Sequence, residues 1–210
     1  PDIPVAHRHL AFLHWQAGDP DGAIAVLREA LRRGLGSRAL RAQLGTYLAE
    51  NGSPGDAIEL LQDLDRDEAP DLDGANALGI AYARAGRTRE ALAVFDGVLA
   101  VDPDNAMALQ NAGSALLAQG HAEAARERFL KAVAADPTLA RAYTGLGVAE
   151  QRAGRRAAAI DAWRRAVALD PREFDALYNL AVALLDAEKP EEARPLAERF
   201  VREAPTALYA

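Results

Sequence analysis

The stretch AMALQNAGSALLAQGHAEAARERFLKAVAADPTL, residues 106–139, decides the fold. Its apolar residues Leu109, Ala112, Leu116 and Leu117 follow helical spacing, which predicts a helix A over 106–119. Gly120 supplies the stop, because a residue without Cβ enters the left-handed region without a clash. Ala125, Phe129, Ala132 and Val133 then share one face of a helix B predicted over 122–135. Asp136-Pro137 ends it, since proline disfavours the helical region in the residue before it.

The same grammar returns along the whole chain at a period of 34 residues. Asp102-Pro103, Asp136-Pro137 and Asp170-Pro171 are 34 apart, and Pro205 continues the series. Gly18, Gly52, Gly86, Gly120 and Gly154 keep the same interval, as do Ala23, Ala57, Ala91, Ala125, Ala159 and Ala193. Six units of 34 fit without insertion: 4–37, 38–71, 72–105, 106–139, 140–173 and 174–207. We read them as one domain spanning 1–210.

Counting each unit from its first residue, place eight holds Ala11, Gly45, Gly79, Gly113, Gly147 and Ala181. Place twenty holds the alanine series. Glycine inside a helix costs about 1 kcal/mol against alanine, so its recurrence predicts a close crossing of helices A and B. Leu27, Leu61, Phe95, Phe129 and Trp163 at place twenty-four fill the space around it, and each such burial stabilises by roughly 1.5–3 kcal/mol.

This pattern resembles the tetratricopeptide repeat family. The fifth unit carries Tyr143, Leu146, Gly147, Gly154, Ala159, Trp163, Ala166 and Pro171 at the family's places, and departs from it at Glu150, where Tyr is typical. The third carries Leu78, Gly79, Tyr82, Gly86, Ala91, Phe95 and Pro103. In the first two units His7 and Arg41 replace the first aromatic, and Leu35 and Ala69 replace Pro. The resemblance implies an all-α, right-handed superhelix of tandem helix-turn-helix repeats. Helix A would line the concave side, which offers a preformed surface for an extended peptide or a partner helix. The implied role is a protein-binding scaffold without catalysis or cofactor.

In the family, places 2, 5, 6, 9, 12 and 13 face that groove. Here they set Arg8, Arg84, Arg141 and Arg152 against Glu50, Asp73, Asp175 and Asp186, which is electrically balanced. Amides join them: Gln43, Asn76, Gln110, Asn111, Gln151 and Asn179. A side-chain amide both donates to and accepts from a peptide backbone. We expect the locally basic middle (Asn76, Arg84, Asn111, Arg141, Arg152) to hold an extended segment bearing a carboxylate, since Arg forks match that group. The far end, Asp175 and Asp186, is acidic. The family subtype that clamps chaperone C-termini needs five set residues. The best register supplies Asn76, Ile80, Asn111, Arg141 and Gly145, of which only Asn111 and Arg141 fit.

Other constellations read as architecture. His7 and His14 share a face of the first helix, but His9 points elsewhere and no third ligand is evident, so no metal site is assigned. Gly145-Leu146-Gly147 lacks the third glycine and the preceding strand of a dinucleotide loop. Trp15, at place twelve, is a groove anchor by position, whereas Trp163 belongs to the core. With no Cys there is no disulfide and no thiolate site. The 24 basic and 31 acidic residues leave a formal net charge of −7. That balance argues against nucleic acid as a partner, including the reading as an RNA-binding helical repeat. No apolar run approaches the roughly 20 residues of a membrane span.

With Pro1 in place of a start Met, we expect the chain to be a piece of a longer protein, and residue usage leads us to expect a bacterial source, in cytoplasm or periplasm. The ending Phe200-Val201 through Leu208-Tyr209-Ala210 also resembles the C-terminal repeats of bacterial sulfatase-like proteins. That implies the alternative of an accessory module to a hydrolase domain outside this chain. At the C-terminus Pro195 is expected to kink or delay the last helix. With no polar capping helix after it, the last repeat is expected to expose an apolar face, open to a missing cap or to end-to-end pairing of two copies.

Overall fold

The computed structural model describes residues 4–62 and 72–204, so Pro205, Ala69 and the Leu208-Tyr209-Ala210 ending lie outside the described residues. Those residues form twelve helices and no strand. The chain packs as two compact units, Pro1–Pro103 and Asp104–Ala210. The boundary falls within two residues of the junction between the third and fourth repeats.

In the first unit α1 (Pro4–Gln16), α3 (Arg38–Glu50) and α5 (Leu72–Arg84) are A helices; α2 (Pro20–Arg32), α4 (Pro54–Gln62) and α6 (Thr88–Val101) are B helices. In the second unit α7 (Ala106–Ala118), α9 (Ala140–Arg152) and α11 (Phe174–Asp186) alternate with α8 (Ala122–Ala135), α10 (Arg156–Leu169) and α12 (Pro190–Glu203). Within each unit every helix packs on its chain neighbours, and successive A helices also touch. Each unit is therefore a stack of three helix pairs with one wall of A helices.

Both turns of the repeat have a local cause. After each helix A, place fifteen takes a positive φ of 74–83° at Gly18, Gly52, Gly86, Gly120 and Gly154. The next N–H donates back to the carbonyl five residues earlier: Arg87 to Tyr82 at 2.8 Å, His121 to Leu116 at 3.0 Å, Arg155 to Glu150 at 2.9 Å. This is the Schellman closure of a helix end. In the sixth repeat Glu188 takes the same turn at φ 59°, and Lys189 still donates to the Leu184 carbonyl at 2.9 Å. After helix B, Asp102, Asp136 and Asp170 adopt extended backbone (φ near −130°) ahead of their prolines. Asp136 Oδ1 and Asp170 Oδ1 then accept the N–H two residues on, at 2.9 and 2.8 Å.

The crossing of A and B is as close as the small residues require. All six place-twenty alanines are fully buried, as are Leu27, Phe95, Phe129 and Trp163 at place twenty-four. A Cβ on Gly79 would lie 2.3 Å from Phe95, and one on Gly147 would lie 2.3 Å from Trp163. Gly145 serves the same end between repeats, because a Cβ there would meet Phe129 of the preceding repeat at 2.3 Å. Both glycines of Gly145-Leu146-Gly147 thus make room for aromatic rings.

The C-terminal helix is not delayed by its internal proline. α12 runs from Pro190 to Glu203 with Pro195 inside it. Pro195 lies in the first two turns and is exposed, where water can serve the carbonyl that loses its partner. Among the described residues of α12, Val201 is the one exposed large apolar side chain; the outward face otherwise carries charges such as Arg194 and Glu198. Phe200 turns inward, 5.4 Å from the Tyr178 ring and 6.5 Å from the Phe174 ring. The larger apolar exposure is on α1 of the first unit.

Candidate functional site

The A-helix wall of the second unit sorts its side chains by place. Places three, seven, eight and ten are buried in all three repeats. Places two and thirteen are exposed in all three: Met107, Arg141 and Asp175; Ala118, Arg152 and Asp186. Asn111 and Asn179, at place six, are half-buried, and Gln151 at place twelve is exposed. The stack uses one side of each helix and leaves the other unspent.

Not all the amides and arginines named from the sequence remain available. Gln110 is buried, and its Nε2 donates to Asn111 Oδ1 at 3.2 Å and to Ser114 Oγ at 3.3 Å. Arg152 donates through Nη1 to the Leu117 carbonyl at 2.5 Å, tying α9 to α7 while staying exposed. Arg141 has acidic company: burial holds the Glu173 carboxyl above its ordinary range, outweighing the Arg141 guanidinium that draws it down. In the first unit Gln43 bridges two repeats, accepting from Arg8 Nε at 3.0 Å and donating to the Arg8 carbonyl at 3.2 Å and to Tyr47 Oη at 3.0 Å. Arg84 is exposed and Asn76 half-buried on α5. Trp15, the expected anchor, stacks on Tyr47 with centroids 4.1 Å apart and planes 7° from parallel.

Apolar side chains on this wall escaped the sequence reading. Met107, Tyr178 and Leu185 are exposed at places two, five and twelve, as are Val5 and Phe12 at two and nine of the first repeat. Their place numbers were the available signal, since these places carry apolar groups as readily as the polar and charged ones that drew the reading.

Glu150 is resolved as an ionic clamp. It is buried, accepts from Arg126 Nε at 2.7 Å and from Arg155 Nε, and Arg155 also forks Glu123 at 2.8 and 3.2 Å. Burial alone pushes the Glu150 carboxyl up, but Arg155 and Arg126 outweigh it and hold it below its ordinary value. His14 is likewise occupied, with Nδ1 2.8 Å from Asp19 Oδ2. Asp19 in turn caps α2 by accepting the Gly22 N–H at 2.9 Å. Among the described residues no group of three His, Asp or Glu side chains is placed to hold a metal ion. No described helix is long and apolar enough to cross a membrane.

Stacked helix pairs with glycine-aromatic crossings and one sorted wall define a helical-repeat scaffold. The tetratricopeptide repeat pattern matches residues 10–73, 76–140 and 144–207, and the chain belongs to that family. Its members typically are non-enzymatic scaffolds for protein–protein interaction. Among solved structures, MamA from Desulfovibrio magneticus RS-1 is 30% identical, with 80% of this chain and 95% of that one covered and a TM-score of 0.63. A thermophilic tetratricopeptide repeat protein of Thermus thermophilus is 21% identical, with 87% and 100% covered and a TM-score of 0.78, and shares the fold. No curated protein matches the chain.

Proposed function

We propose that the A-helix wall of the second unit binds an extended polypeptide segment bearing a carboxylate. The observation that carries this is the sorting of α7, α9 and α11. Stacking consumes places three, seven, eight and ten, while Met107, Arg141, Gln151, Tyr178 and Leu185 stand exposed on the other side. Exposed aromatic and aliphatic groups beside arginine are the composition of interface anchors. Half-buried Asn111 and Asn179 are the groups for the peptide backbone, Arg141 and Arg152 for the carboxylate. The same reading extends to Asn76 and Arg84 on α5 of the first unit as a separate contact. Gln43 and Gln110 shape the wall from within.

Glu173 makes the reading sharper. When ionised, its carboxyl offsets part of the positive field of Arg141 that a ligand carboxylate would meet. An array of extended peptides with and without carboxylates tests the proposal. Asn111→Ala with Arg141→Glu should abolish capture of the acidic peptides, and Glu173→Gln should strengthen it. Capture unchanged by the double variant defeats the assignment.

A further inference from the structure

On the second-unit wall the exposed charges change sign from one helix to the next at fixed places. Place two holds Met107 on α7, Arg141 on α9 and Asp175 on α11; place thirteen holds Ala118, Arg152 and Asp186. All six are exposed. α9 packs against an A helix on either side, so Arg141 and Arg152 owe their exposure to the direction of these places and not to a missing neighbour. Both rows therefore read uncharged, positive, negative in the same order along the stack. At the α9–α11 step the two signs act on one spot, since Arg141 and Asp175 both bear on the Glu173 carboxyl, in opposite senses. The rows differ in one respect: Arg152 is engaged backward with the Leu117 carbonyl of α7.

Building on the peptide reading of this wall, we propose that its ligand is dipolar: an extended segment of a partner protein with an apolar residue over Met107, an acidic one at Arg141 and a basic one at Asp175, spaced about three positions apart. Complementary charge selects this partner. A second acidic residue one step past Arg141 would face Asp175 and be repelled, whereas a Lys or Arg there is attracted. The spacing follows from geometry. Packed helices lie about 8–10 Å apart. A polyproline-type extended chain rises about 3.1 Å per residue with three residues per turn, so side chains three positions apart point the same way about 9 Å apart. A helical ligand, rising about 1.5 Å per residue, would need six or seven positions for the same step. Place two outranks place thirteen as the track, because Met107 supplies a large adaptable apolar contact that Ala118 does not.

The probes are fluorescent synthetic peptides with blocked termini, each holding one leucine, one glutamate and one lysine among alanines, serines and prolines. The lysine is walked from one to eight positions away from the glutamate, in both chain directions, and binding to the full chain is read by anisotropy. Affinity should peak with lysine three positions from glutamate and leucine three positions away on its other side. Serine in place of that lysine should weaken binding about twofold to fivefold, the range of exposed ion pairs, and high salt should erase the difference. Asp175→Lys should reverse the preference, so that a peptide with glutamate at both positions outbinds the lysine peptide. A merely structural defect cannot produce that reversal. Asp175→Asn should abolish the preference without reversing it, and serves if the lysine variant does not fold. Glutamate peptides that bind equally with and without lysine, yet lose binding to Asn111→Ala/Arg141→Glu, overturn the dipolar ligand and leave the peptide reading standing. A peak at six or seven positions overturns it as well, because the occupant is then a helix. No binding by any glutamate peptide, or binding indifferent to the double variant, defeats both.

Discussion

Places eight and twenty-four are matched as pairs. Glycine stands at eight opposite each aromatic at twenty-four, as in Gly79 with Phe95 and Gly147 with Trp163, and also at Gly45 opposite Leu61, while alanine stands at Ala11 opposite Leu27 and at Ala181 opposite Ala197. Helix propensity alone says Gly147→Ala gains about 1 kcal/mol. The crossing says otherwise: the new Cβ would sit 2.3 Å from Trp163 Nε1, and Trp163 is anchored by its bond to the Thr144 carbonyl at 3.2 Å. Overpacking wins, and we predict a net loss of about 1–3 kcal/mol in urea unfolding. Glu188 is the opposite case. It adopts the turn that five glycines adopt elsewhere, at φ 59°, a conformation costing a side chain roughly 1–2 kcal/mol. Glu188→Gly should raise the urea midpoint by about 0.5–1 kcal/mol of stability, the relief exceeding the added entropy of an unfolded glycine.

At the scale of elements, Glu150 ties α8, α9 and the start of α10 together through Arg126 and Arg155. The same place holds Leu48, Leu116 and Leu184 in other repeats. Glu150→Gln keeps the shape but takes the buried carboxylate from both arginines, leaving Arg155 only its fork to Glu123, and should cost about 1–3 kcal/mol. Glu150→Leu should cost less, because a buried ion pair replaced by a fitting apolar group is often nearly neutral. The pH dependence follows from the depressed carboxyl. The unfolded chain binds its proton at higher pH than the native one, so the stabilisation is complete above about pH 4.3 and is lost as pH falls through the native value. The gap in urea midpoint between wild type and Glu150→Gln should therefore narrow in acid.

At the scale of the molecule, a stack in which each repeat touches its neighbours has stability summed from repeats and their interfaces. Residues 104–204 hold three complete helix pairs with their own buried core. Expressed alone, they should give a helical far-UV spectrum and a cooperative urea transition. A disordered spectrum would show that the second unit depends on residues outside it.

Most of the architecture was legible from residues alone, because its rules are local. The 34-residue period, the glycine turn, the Asp-Pro stop and the small-large pair at the crossing each act within one repeat, and the helix ends of the fourth repeat emerge within a residue of their expected places. The tertiary structure decided which polar groups are spent. Gln43 answers Arg8 35 residues away, Arg152 answers Leu117 at the same separation, and Arg126 answers Glu150 at 24. Such pairs depend on side-chain direction across a packed interface, which periodicity does not encode. The structure likewise put the apolar excess on α1 rather than α12, since exposure depends on which neighbour is there to cover a face.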